Sequence, residues 1–115
     1  MKSDFVSSLE KRVKTLEIAG KVYELELENL DVLKAWRDKG IELQAQLNLI
    51  MGSDERIVDV VPICIETLDV LLNDGQRIWD ECGHSPWALL KLIKDLSLFI
   101  LAAREEIKKH YGLGF

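Results

Sequence analysis

The chain has 115 residues, of which 48% are hydrophobic and 30% are charged, and its formal net charge is −5. This length is typical of one domain, and the apolar content excludes an intrinsically disordered chain. The acidic balance and the scattered Lys and Arg residues argue against binding to nucleic acid or to an anionic membrane surface, because both need clustered cations.

The apolar stretches are short and interrupted by charges. The most apolar one, residues 87–103, contains two lysines and an aspartate and is too short to span a bilayer. The N-terminal region lacks the apolar run of a signal peptide. We therefore expect a cytoplasmic location, in which Cys64 and Cys82 are both buried, reduced thiols, with a disulfide as the alternative.

The first residues differ in character from the remainder. Residues 1–12 carry few apolar anchors and are expected to form a flexible arm, with a short helical turn as the alternative. Residues 13–115 are expected to form a single, mainly α-helical domain that opens with a β-hairpin at residues 14–27.

Alternating apolar and polar residues predict that hairpin. A type II′ turn centred on Gly20 and Lys21 would pair Ile18 with Tyr23, because this turn requires Gly at its first central position. The apolar side chains on one face are then Leu16, Ile18, Tyr23, Leu25 and Leu27. A lone hairpin is only marginally stable in water, so this face should pack on helices.

A long amphipathic helix is predicted from about residue 30 to residue 51, with Asn29 as its N-cap. Its apolar stripe consists of Leu33, Trp36, Gly40, Leu43, Leu47 and Ile50. Glycine inside a helix costs about 1 kcal/mol relative to alanine. Either a close helix crossing at Gly40 or a break into two shorter helices would explain it.

Residues 56–72 are apolar on nearly every side, which indicates a helix buried in the core. Ser53 is a candidate N-cap, and the acidic residues after it suit the first turn. Pro62 should kink the helix because it removes one backbone hydrogen bond. A strand at residues 57–65 is the alternative, but the length of the segment favours a helix.

Two helices complete the predicted fold. Residues 73–75 form a turn, residues 76–82 form a short helix that Gly83 stops, and Ser85 and Pro86 start the last helix. The core stripe of that last helix is Leu89, Ile93, Leu96, Ile100, Ala103 and Ile107. The predicted fold class is mainly α, with a small N-terminal hairpin packed on a four- to five-helix core.

The sequence contains no strong metal-binding or catalytic motif. Cys82 and His84 are close together, but a structural zinc site needs four ligands, usually in two spaced pairs. The acids at positions 80 and 81 would oppose thiolate formation at Cys82. We predict no catalytic residue, no cofactor and no metal, with a small thiol or metal enzyme using Cys82 and His84 as a rival hypothesis.

Apolar side chains in excess of one core are the remaining signal. The chain has three tryptophans, and the last helix carries apolar residues away from its core stripe. These residues either belong to the core or form an exposed groove for an amphipathic helix. The predicted partner-binding residues are Trp79, Trp87, Leu90, Leu98, Phe99 and Leu101.

Two segments carry a family resemblance. Residues 67–87 contain an acidic-glycine turn followed by a short aromatic helix, and residues 16–25 form the hairpin upstream. Together they resemble the small tail assembly chaperones of long-tailed bacteriophages and prophages. The resemblance extends over roughly residues 14–105.

The resemblance implies a function that the composition alone does not reveal. Such a chaperone binds helical segments of the tape measure protein in the bacterial host cytoplasm, self-associates into oligomers, and is absent from the mature virion. A structural phage component, such as a connector or minor tail protein, is the alternative. Membranes and nucleic acid are not expected as partners.

Overall fold

An antiparallel hairpin precedes four α-helices in the computed structural model, which describes residues 13–50 and 52–112. In chain order the elements are β1 (Val13–Ile18), β2 (Lys21–Glu26), α1 (Leu30–Leu49), a 3-10 helix (Asp54–Val60), α2 (Val61–Leu72), α3 (Gly75–Glu81) and α4 (Pro86–His110). This confirms the mainly α fold with a small N-terminal hairpin. The arm predicted at residues 1–12 lies outside the described residues.

The hairpin turn lies one residue earlier than predicted. Its central residues are Ala19 and Gly20, with φ of 51° and 79°, and Ile18 pairs with Lys21. Positive φ at both central positions is the requirement of a type I′ turn, so the predicted type II′ turn is wrong. Ile18 therefore does not pair with Tyr23.

The corrected register has a physical reason. The predicted pairing would have placed Glu17 opposite Glu24, whereas the observed register pairs Glu17 with Val22 and Glu24 with Thr15. Like charges directly opposite each other destabilise a strand pair. The new register differs by two residues, which returns every side chain to the same face. The predicted apolar face is therefore preserved.

That face packs into the core. Tyr23, Leu25 and Leu27 are buried, and Leu16 and Ile18 pack against them from β1. The polar face of β2 is exposed to solvent. As predicted, the hairpin relies on the helices for burial of its apolar face.

A polar network attaches the hairpin to the start of α3. Tyr23 donates a hydrogen bond of 2.6 Å to Asp74 Oδ2, and Lys21 and Arg77 reach the same oxygen at 3.0 and 2.8 Å. Arg77 also donates to Tyr23 Oη at 2.7 Å and to the carbonyl of Ile18 at 3.4 Å. These donors lower the pKa of the Asp74 carboxyl well below its ordinary value, with Tyr23 as the largest cause.

Helix α1 begins as predicted. The Asn29 side chain accepts hydrogen bonds from the amides of Asp31 and Val32, at 3.0 and 3.3 Å, which caps the first turn. The helix then continues without a break through Gly40. A methyl group at Gly40 would meet no neighbouring heavy atom within 4 Å, so both explanations offered for this glycine, a close crossing and a break, are wrong.

The predicted kinked helix at residues 56–72 is two elements. Residues 54–60 form the 3-10 helix, and Pro62 lies in the first turn of α2, where its missing N–H is not needed. Proline thus helps to start a helix here and does not kink one. The side chain of Ser53 makes no capping hydrogen bond.

Helix α2 occupies the centre of the fold, where it packs against α1, α3, α4, the 3-10 helix and β2. Its buried side chains face several directions, which agrees with the apolar sequence of this segment. Thr67 is fully buried, and its hydroxyl donates a 2.6 Å hydrogen bond to the carbonyl of Ile63. The remaining elements are arranged around this helix.

The last helix matches its predicted pattern closely. Ser85 accepts a hydrogen bond of 3.2 Å from the amide of Ala88, and Pro86 is the first helical residue. Ile107 packs against the core, and the other predicted stripe residues are buried, namely Leu89, Ile93, Leu96, Ile100 and Ala103. This stripe positions the opposite side of α4 towards solvent.

Candidate functional site

The six predicted partner-binding residues divide into two groups. Trp87, Leu98 and Leu101 are exposed, by 57%, 57% and 59%. The other three are partly buried and pack against the core, namely Trp79, Leu90 and Phe99. The exposed group lies entirely on α4.

A groove separates α1 from α4. Its volume is about 620 Å³, and its apolar lining consists of Leu30, Leu33, Trp36, Ile100 and Leu101. Both helices pack on α2, and the groove is the space left between them. We call this space the basic groove, for the charges described next.

Three cations and one acid line the basic groove, namely Lys34, Arg37, Arg104 and Asp31. Arg37 lies 3.5 Å from Asp38, whereas Lys34 and Arg104 form no ion pair with any carboxylate of the described residues. This concentration of positive charge stands out in a chain whose net charge is −5.

A second apolar depression lies at the other end of α4. It has a volume of about 290 Å³, and we call it the Trp87 cleft. Its lining residues are Leu47, Ile50, Gly52, Ser53, Asp54, Ile57, Trp87 and Leu90. Two of the predicted residues, Trp87 and Leu90, therefore meet the end of α1 and the 3-10 helix here.

The α1 side of the basic groove was not among the predicted partner-binding residues. Leu33 and Trp36 were interpreted as core stripe only, but both are partly exposed and line the basic groove. Leu30 is 77% exposed at the start of α1. Apolar residues three positions apart and flanked by Lys34 and Arg37 form a basic amphipathic pattern, and this signal was available in the sequence.

The residues of the rival enzyme hypothesis have other partners. Cys82 Sγ donates to the carbonyl of Trp79 at 3.2 Å, and His84 Nε2 lies 3.0 Å from Asp80 Oδ1. The His84 ring also stacks on Trp79, with centroids 5.0 Å apart. The contact with His84 lowers the pKa of the Asp80 carboxyl. His84 is thus held by an acid and an aromatic ring.

The other cysteine is buried in the core. Cys64 has no solvent exposure, and burial raises the pKa of its thiol to about 11. A thiol in this environment stays protonated and unreactive at neutral pH. This position agrees with the predicted free, buried thiol, whereas Cys82 is free but only partly buried, so its predicted burial is wrong.

Two features are absent from the part of the chain that the structure describes. No three His, Cys, Asp or Glu side chains come together in a group that could hold a metal ion. None of the helices is apolar over a sufficient length to cross a bilayer.

Comparison with protein-family models, with curated protein sequences and with solved structures finds no match to this chain. The basic groove and the Trp87 cleft are therefore the features of this chain that bear on its function.

Proposed function

We propose that this protein is a non-catalytic assembly chaperone that shields amphipathic helices of a partner protein on the surface between α1 and α4. The observation that carries the proposal is the apolar lining of this surface, on which Leu30, Trp87 and Leu101 are each more than half exposed. Exposed apolar side chains grouped on one surface are suited to protein contact. A groove between two helices also has a suitable shape for a third helix.

The family resemblance implies that this partner is a tape measure protein. A tape measure protein is long and helical, and its helices need shielding until the tail tube forms around them. Nothing among the described residues suggests release by nucleotide hydrolysis, so we propose release by competition with tube subunits. The protein would act in the host cytoplasm and leave before the virion is complete.

Affinity capture tests the proposal directly. A helical fragment of a tape measure protein should be retained by this chain when the two are coexpressed. Trp87→Ala combined with Leu101→Ala should abolish retention while the circular dichroism spectrum is unchanged. Ile41→Ala is the matched control, because Ile41 is 63% exposed on α1 but lines neither pocket. Retention by the double variant would refute the proposed surface.

Mass spectrometry of purified virions separates a chaperone from a structural component. We expect the chain to be absent from mature particles. Its presence at stoichiometric amounts would instead assign it to the connector or the tail.

Self-association is a second part of the proposal. Exposed apolar side chains also occur away from both pockets, at Val22, Leu49 and Val58. Such residues are suited to contacts between copies of the chain. Sedimentation velocity should reveal oligomers, and replacing Leu49 and Val58 together by Asp should return the chain to a monomer.

A further inference from the structure

The basic groove and the Trp87 cleft lie along one face of α4. The α4 residues that line them are Trp87, Leu90, Ser97, Ile100, Leu101 and Arg104, which recur at helical spacing. The N-terminal half of α1 lines the basic groove and its C-terminal end lines the cleft. The two helices therefore run antiparallel, and the pockets follow one another along the line between them, which we call the path.

The distance between the pockets sets a spacing for the ligand. Trp87 and Leu101 lie about four helical turns apart on α4, which corresponds to about 21 Å. A helix lying along this path would fill both pockets if its own apolar clusters were about 14 residues apart. A helix with only one apolar cluster would fill one pocket.

The two ends of the path carry opposite charge. Lys34, Arg37 and Arg104 outnumber Asp31 around the basic groove, whereas Asp54 is the charged residue among those that line the Trp87 cleft. Like charges oppose each other across an interface and opposite charges favour one arrangement, so this asymmetry selects a direction. The favoured ligand places its acidic end beside Arg104.

We propose that the surface binds one partner helix in a fixed direction, with two apolar clusters about 14 residues apart and acidic side chains flanking the cluster that enters the basic groove. This inference rests on the proposed function, and it adds the charge and spacing of the helix that is selected. The occupant is a helix of a different protein with acidic side chains at one end, because the described helices of this chain already pack apolar side chains into their own core.

Synthetic helices test the charge and the spacing independently of any natural partner. The probe is a fluorescein-labelled amphipathic peptide of about 24 residues, with Leu clusters about 14 residues apart and Glu beside one cluster only. A second peptide replaces Glu by Gln, and a third halves the spacing. Fluorescence anisotropy should rank the Glu peptide roughly tenfold tighter than the Gln peptide, since surface ion pairs contribute modestly.

The third peptide should bind at least about tenfold more weakly, because one Leu cluster stays in water. The double variant Lys34→Glu with Arg104→Glu should remove the preference for Glu. Lys109→Glu is the matched control, since it reverses a charge on the same helix but lines neither pocket. Gly40→Leu should block the basic groove without a clash, because space beside Gly40 is open.

A nitroxide on the acidic end of the peptide reads out direction. Amide signals near Arg104 should broaden, and the indole signal of Trp87 should not. Equally tight binding of all three peptides would overturn the directional inference and leave the helix-binding function intact. Broadening of the signals near both Arg104 and Trp87 would do the same. If none of the three peptides binds and the tape measure fragment is not captured, both the proposed function and the directional inference are overturned. A groove found occupied by a second copy of the chain would also overturn this inference.

Discussion

Tyr23 in the hairpin donates a 2.6 Å hydrogen bond to Asp74, the residue immediately before α3. This contact joins parts of the chain that are far apart in sequence. Lys21 and Arg77 complete the shell around the same carboxylate oxygen. The network fixes the hairpin against the helical core and makes its attachment dependent on the charge of Asp74.

Stability should therefore fall in acid through Asp74. The pKa of a free Asp side chain is about 3.9, and that of folded Asp74 lies below it. A lowered pKa means that the stabilisation is complete above about pH 5 and is lost as the pH falls below about 4. Asp74→Asn should lower the urea midpoint at pH 7. It should also reduce the further loss of stability between pH 7 and pH 3. Asp38→Asn is the control and should leave the urea midpoint and its pH dependence unchanged, because Asp38 forms an exposed ion pair. If Asp74→Asn and the parent lose the same stability in acid, Asp74 is not the source of the acid sensitivity.

The hairpin turn should be improvable at Ala19. Its φ of 51° lies in the left-handed region, where a residue with a Cβ is strained by about 1–2 kcal/mol. Asn tolerates this region, and Asn followed by Gly is the preferred type I′ pair. Ala19→Asn should raise the free energy of unfolding by about 1 kcal/mol, measured by chemical denaturation. Gly20→Ala should lower it, since φ at Gly20 is 79°; a stabilising Gly20→Ala would argue against this turn.

One substitution should have opposite effects at two glycines. Gly40→Ala should stabilise the protein by about 1 kcal/mol, because Gly40 is an exposed helical residue with open space around it. Gly75→Ala should destabilise strongly, because its Cβ would overlap the carbonyl oxygen of Ile65 and crowd Asp69. The Gly75 amide donates to Asp69 at 2.7 Å, so any shift away from the clash also weakens that bond. Thermal melts of both variants measure these changes in stability. A Gly75→Ala variant as stable as the parent would contradict the close packing at Gly75.

The two thiols should differ in reactivity. Cys82 is partly exposed, whereas Cys64 is buried and its thiol has a pKa of about 11. Ellman's reagent at pH 8 should titrate one thiol of the native protein quickly and the second only after unfolding. Cys82→Ser should remove the fast phase, and Cys64→Ser should leave it. Rapid modification of both thiols in the native state would contradict the burial of Cys64.

Patterns within a short stretch of chain predicted the elements well, and longer-range effects explain the errors. The caps at Asn29 and Ser85 and the stripe of α4 were predicted because they depend on neighbours within a few turns. The hairpin register was wrong because the apolar face is the same for registers two residues apart. The opposition of Glu17 and Glu24 distinguishes those registers, and the observed one avoids it even though Ala19 then takes a positive φ.

The candidate site was predicted in part. Trp87, Leu90 and Leu101 were identified and line the pockets, whereas Trp79 and Phe99 pack against the core and the exposed Leu98 lines neither pocket. The opposite wall, formed by α1, was interpreted as core because its residues share the stripe that also contacts α2. Periodicity indicates which face of a helix is apolar, but it does not reveal how completely the neighbouring helices cover that face.

The sequence by itself determined the mainly α class, the apolar face of the hairpin and the buried stripe of α4, since these follow from side-chain periodicity and local capping. Only the tertiary structure decided that α1 and α4 both pack on α2 and leave a groove between them, and that Lys34 and Arg104 come together at its rim. The physical reason is that the packing of helices depends on side-chain contacts between segments remote in the chain, which no local pattern specifies.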